Sequence, residues 1–233
     1  VVDVEIDDRD PREAVRFEGC FVPDAPCLPS RTALQHGRFG FHTGVCNHGG
    51  TYADPWPEGP GRGFRNTRPY WKWMQVLQAG GLYTATVSSF AGRHNCWHFL
   101  AGFREVHDCG KGGGEVATEV LGDALSFLER RGRGESWFLH FNIWDPHTPY
   151  RTPPDFGNPF EQDPPAAWVT QEMIERQLAT WGTHSAGAPL HQPGQAAGPR
   201  DVGAIRGLQD YKRWIDGYDT GIRYADAAVG RLL

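Results

Sequence analysis

Apolar residues recur along this chain in two rhythms. In 114–132, "GEVATEVLGDALSFLERRG", Val116, Val120, Leu121, Ala124, Leu125 and Leu128 fall three or four apart and line one face of an amphipathic helix. A second helix is predicted over 68–81, "RPYWKWMQVLQAGG", with Pro69 near its start and Gly80–Gly81 past its end. A short helix is predicted over 28–38, where Pro29 suits the first turn and Gly37 a stop. Further helices are predicted at about 166–180 and 208–232. Two stretches follow the other rhythm. "LYTATVSSF" (82–90) reads as a strand, and "SWFLHFNIW" (136–144) is almost continuously apolar or aromatic, as expected of a strand covered on both faces.

Loops rich in glycine and proline separate these elements. Residues 44–69 hold ten Gly or Pro, seven prolines lie between Asp145 and Pro165, and another such loop runs from Gly182 to Gly203. The chain contains no internal repeat and no low-complexity tract. Helices alternating with strands across long connections predict one α/β domain over 1–233, a sandwich around a mainly parallel sheet. In such sheets, sites form beyond the carboxyl ends of the strands. That rule selects "SSFAGRHNCWH" after the first strand and "WDPHTPY" after the second.

Composition narrows the function classes. A net charge of −5 argues against a general nucleic-acid surface. No apolar run reaches the length of a membrane span. The opening "VVDVEIDDRD" has neither a Met nor a signal-peptide pattern, so the chain is expected to be incomplete, and it leaves the cellular location open. Arginine outnumbers lysine by 20 to 3, which suits bidentate recognition of oxyanions, although genomic base composition is the simpler cause. Five cysteines cannot all pair, and Cys20, Cys46, Cys96 and Cys109 read as core or loop residues.

The fifth, Cys27, stands in "FVPDAPCLPSRTALQHGR" (21–38), at or just before a helix N-terminus. Backbone N–H groups and the helix dipole there favour a thiolate or a bound oxyanion. Arg31 follows one helical turn later and projects from the same face. Nucleophile, anion site and cation are thereby combined in a few residues.

"CLPSR" followed by "TALQHGR" resembles the sulfatase signature, Cys-x-Pro-Ser-Arg with a Leu and a Gly-Arg at set spacing. The resemblance extends to "FLHFNIWDPHTPY" (138–150) and "YDTGIRYADAAVGRLL" (218–233), and so covers nearly the whole chain. It implies an alkaline phosphatase-like three-layer α/β/α sandwich and a sulfuric ester hydrolase acting on a sulfated small molecule or glycan. It implies that a formylglycine-generating enzyme, reading Pro29 and Arg31, oxidises Cys27 to formylglycine. It implies that the hydrated aldehyde attacks sulfur through one hydroxyl, that the alcohol leaves, and that the second hydroxyl then loses its proton, expels sulfate and restores the aldehyde. The resemblance also implies that Cys27, Arg31, His94 and His147 are catalytic and converge on one oxyanion, that Arg93 and His147 contact substrate, and that residue 27 binds Ca2+ or a similar divalent cation.

The match departs from the family at two places. Where the family has Gly-Lys-x-His, this chain reads Gly92-Arg93-His94, without the lysine. Neither Lys72 nor Lys111 has a sequence argument for replacing it. The family's acidic metal ligands lie upstream and downstream of the matched region, so most of them are expected outside this chain, and Asp7 and Asp8 are not assigned. As given, the chain resembles the middle of a catalytic domain, incomplete at both ends. A formylglycine-dependent phosphonate monoester or phosphodiester hydrolase shares the signature, and a truncated non-catalytic relative is a further alternative. Tyr52, Trp56, Phe64, Tyr70, Trp71 and Trp73, interleaved with Arg62, Arg65 and Arg68, suit stacking on a sugar or aryl group as well as they suit loop packing. A zinc protein built on "CNH", "HNCWH" and "HDC" is disfavoured, because the spacings match no common finger.

Overall fold

The computed structural model describes residues 19–49, 53, 71–134, 136–180, 198–200, 202–203 and 205–233. The stacking residues suggested at 52–70 lie outside these, apart from Trp71 and Trp73, as do Asp7 and Asp8. The chain divides into two compact units. One comprises 8–113 and 119–142, and the other comprises 1–7, 114–118 and 143–233.

The first unit holds a three-stranded, all-parallel sheet in the order β2-β1-β3, so the protein has a mixed α/β fold. Its helices are α1 (Cys27–His36), α2 (Gly40–Thr43), α3 (Trp73–Ala79), α4 (Phe90–His94) and most of α5 (Ala117–Arg131), and its strands are β1 (Tyr83–Val87), β2 (Glu105–His107) and β3 (Trp137–Phe141). Parallel neighbours cannot be joined by a tight turn, and α5 makes the crossover from β2 to β3. β1 pairs with β3 from Tyr83↔Trp137 to Val87↔Phe141, and with β2 from Ala85↔Glu105 to Val87↔His107. With a neighbour on each side, β1 is buried from Thr84 onward.

β3 differs from its sequence reading. Trp137 is exposed and the remaining four residues are half-buried, and the strand forms an edge of the described sheet. Its apolar run instead reflects an aromatic partner on each face. Trp137 meets Phe127 edge-on at 5.8 Å, while Phe138 meets Trp73 at 4.8 Å. Adjacent residues of a strand point to opposite faces, so both faces are populated. β2 was not foreseen, since three residues carry too little periodicity. α3 begins later than predicted: Lys72 donates its backbone N–H to the Gln75 side-chain oxygen at 3.0 Å and caps the first turn.

The second unit is helical. α6 (Gln171–Leu178) starts at Thr170, whose side chain accepts from the Met173 N–H, and α7 spans Leu208–Leu232. Val169, Ile174 and Ile205 form a core with Met173, Leu208, Tyr211 and Trp214. On α7, Asp216, Thr220, Tyr224 and Ala228 make a buried stripe four residues apart. Gly221 allows close approach, because a Cβ there would lie 2.6 Å from the Asp145 carbonyl oxygen. No described helix is long and apolar enough to cross a membrane.

Phe127 is fully buried, whereas Leu34 is 72% exposed. Phe127→Ala is expected to lower stability by about 3–5 kcal/mol in urea unfolding, with Leu34→Ala nearly neutral. Comparable losses in both variants would contradict this placement of the core.

Candidate functional site

α1 starts at Cys27 because Pro26 is extended and its carbonyl accepts from the Ser30 N–H at 3.1 Å. Pro29 sits in the first turn, where its missing N–H sacrifices no helical bond. Gly37, at φ 62, ends the helix in the left-handed region that glycine tolerates best. Leu28, Thr32 and Gln35 are buried, which fixes the helix's rotation and leaves Cys27 and Arg31 half-buried on a shared side.

The Cys27 Sγ lies 2.8 Å from Nε2 of His48, in the loop after α2. The His48 ring is 4.9 Å from the ring of His94, which ends α4 just beyond β1. His94 packs at 4.5 Å on Phe90, and the Arg31 guanidinium lies 4.6 Å over the same Phe90 ring. Arg31 Nη1 donates to Asn142 Oδ1 at 2.6 Å. Asn142 is the first residue after β3, and its own N–H donates to the Val87 carbonyl at the end of β1. Cys27, Arg31 and His94 are thus gathered where a helix N-terminus meets two strand carboxyl ends.

The other two candidates are placed differently. Arg93 turns its guanidinium to the Gly112 carbonyl, with Nη1 at 3.0 Å, in the loop after β2. His147 belongs to the helical unit and is exposed. Its Nδ1–H donates to the Thr148 carbonyl at 2.7 Å. Asp145 beside it is buried, and that burial raises its carboxyl to about 6.

Sequence reading assigned three residues here no part in the site. His48 stands in a glycine-rich loop with no periodic signal, and only the fold brings it to Cys27. Asn142 did carry a signal, as a polar residue ending an apolar strand. Lys72, for which the sequence offered no role, is 2% exposed, and its Nζ has no hydrogen-bond partner among the described residues.

The surroundings of α1 disfavour charge. Burial, with a further push from Lys72 and His36, lowers His98 to about 3, and Thr32 Oγ1 lies 3.4 Å from its Nε2. Burial and nearby Arg31 lower His140 to about 4. Burial raises the Cys96 thiol to about 12. Burial also lowers Arg31 from its ordinary value, while Cys27 and Cys96 act in the other direction. Both histidines are therefore neutral at pH 7, and Cys96 is an inert thiol. Among the described residues, no three His, Cys, Asp or Glu side chains are grouped so that they could hold a metal ion.

Burial lowers Lys72 to about 7, against a weaker pull from Cys96. Between that value and the ordinary lysine value of about 10.4, the unfolded chain binds a proton that the folded chain refuses. The stability contributed by the neutral amine is complete above the unfolded value and is lost as pH falls through the folded one. Lys72→Met should therefore be more stable than the parent by up to about 4 kcal/mol near pH 6, and by much less above pH ~10.5. Urea unfolding across pH measures this, and a difference that does not change with pH would contradict it.

No protein-family model, curated protein or solved structure matches this chain.

Proposed function

We propose that this chain belongs to a sulfuric ester hydrolase, working through formylglycine made from Cys27. The observation that carries the reading is the local constellation: Cys27 opens α1, Arg31 follows one turn later, and His48 and His94 stand against it. The parallel sheet, with α5 aromatics on one face of β3 and α3 aromatics on the other, supports the expected three-layer sandwich. Half-buried and first in its helix, Cys27 fits the modification, since its side chain is not walled into a core.

Once formed, the hydrated aldehyde would supply one hydroxyl to displace the alcohol from sulfur and a second that, on losing its proton, expels sulfate and restores the aldehyde. The chain's own residues do the rest. The Cys27 Sγ stands where an oxygen on the same Cβ would lie, so His48 Nε2, 2.8 Å away, is in reach to exchange a proton with that oxygen. Arg31 places a permanent cation beside it, and the first N–H groups of α1 add a fixed positive potential. His94 offers an imidazole on the same side as His48. The resemblance assigns a sulfate-binding role to His147, whose Nδ1–H is already engaged by the Thr148 carbonyl, so an anion would have to be met by an N–H at Nε2.

Cys27→Ala should abolish turnover of an aryl sulfate without unfolding the protein. Cys27→Ser should give at most one slow sulfation event, because serine has no second hydroxyl. Sustained turnover by the serine variant, or an unmodified Cys27 thiol in active protein by peptide mass spectrometry, would remove the formylglycine reading. A parallel assay on an aryl phosphodiester separates sulfur from phosphorus preference. The chain 1–233 should bind calcium no tighter than millimolar, and calorimetry showing micromolar binding would mean that it carries the metal ligands itself.

A further inference from the structure

Arg31 is held by a neutral partner. Among the described residues it makes no ion pair with a carboxylate: Nη1 donates to Asn142 Oδ1 at 2.6 Å, and the guanidinium plane covers Phe90 at 4.6 Å. A guanidinium held this way keeps its whole charge. Its amide partner is itself incomplete. Asn142 is 5% exposed, and its Nδ2 has no hydrogen-bond acceptor among the described residues. The orientation of the amide follows from the chemistry, because the atom facing Arg31 must accept, so the unsatisfied group is the NH2 donor. The main chain is pinned as well, since the Asn142 N–H donates to the Val87 carbonyl at 3.0 Å. Among the described residues, a buried donor without an acceptor thus stands next to a guanidinium without a carboxylate partner, and an anionic oxygen would satisfy both at once.

We propose that Asn142 is a ligand-binding residue, whose Nδ2 amide and the Arg31 guanidinium together take the oxygens of a tetrahedral oxyanion. Asn142 thereby has two roles. It orients Arg31 through Oδ1 without cancelling its charge, and it donates through Nδ2 to the same anion. An aspartate would hold Arg31 more strongly and would occupy the anion's place electrostatically. This inference rests on the hydrolase reading only for the identity of the anion as a sulfate ester and its sulfate product. The donor pair itself does not need formylglycine.

The test compares full-length parent protein with Asn142→Asp and Asn142→Ala. Thermal unfolding is followed against inorganic sulfate and phosphate, with chloride holding ionic strength constant, and KM and kcat are measured on 4-nitrophenyl sulfate. The parent should be stabilised by both oxyanions. Asn142→Asp should raise Tm in the absence of oxyanion and weaken sulfate binding by about a hundredfold, because the introduced carboxylate supplies the missing counter-charge. Asn142→Ala should weaken binding about tenfold, which keeps the test open if the aspartate variant does not fold. A merely structural role predicts lower stability in both variants with unchanged anion affinity, and that result overturns the proposal. So does a parent indifferent to sulfate and phosphate, or a KM unaltered in Asn142→Asp. If the anion response is lost in Asn142→Asp while the parent hydrolyses no aryl sulfate and keeps a Cys27 thiol, the hydrolase reading falls and the oxyanion site stands.

Discussion

Everything in the sheet unit is referred to β1. Among the described strands it alone is hydrogen-bonded on both sides, and two bonds at its end align its neighbours: Ser88 N–H to the His107 carbonyl, and Asn142 N–H to the Val87 carbonyl. Parallel pairing forces each chain crossover to return to the same edge, so the strand ends and the residues after them collect in one place. α4, with His94, follows β1 directly, and Asn142 follows β3 directly. α1 is brought against them by burial of Leu28, Thr32 and Ala33, with Thr32 near His98. The candidate site is a consequence of strand pairing before it is a matter of any one side chain.

Electrostatically, the surroundings of α1 disfavour charge, yet Arg31 is held there without a carboxylate partner among the described residues. Arg31 is anchored by an amide and an aromatic ring, and Lys72 is buried without a hydrogen-bond partner among the described residues. His98 and His140 are held neutral by burial, so they add no further repulsion at pH 7. Stability alone would favour carboxylates here, since a paired charge costs less to bury than an unpaired one. A site prepared for an incoming anion carries that cost in the empty state. The helical unit solves the same problem differently. Lys212 pairs with Asp216 at 2.6 Å and donates to the Phe160 carbonyl, so its charge is satisfied internally.

The elements that repeat a period over many residues were legible in the sequence. α5 and α7 fall within a few residues of the predicted spans, and α1 matches its Pro29 and Gly37 signals closely. Short or edge elements were not. β2 has three residues, and β3 looks fully enclosed only because its aromatic partners lie on both faces while one edge stays unpaired among the described strands. Of the candidate residues, Cys27 and Arg31 could be read together because four positions on one helix make a local geometry.

By itself, then, the sequence determined the helices, the parallel α/β character and the Cys27–Arg31 pair, all of which follow from interactions over a turn or two of chain. Only the tertiary structure decided that His48 touches Cys27, that Asn142 rather than an acid holds Arg31, and that Lys72 is buried. Those facts depend on which distant segments meet at the end of β1. Loop residues such as His48 carry no periodicity that would announce a partner 21 positions away.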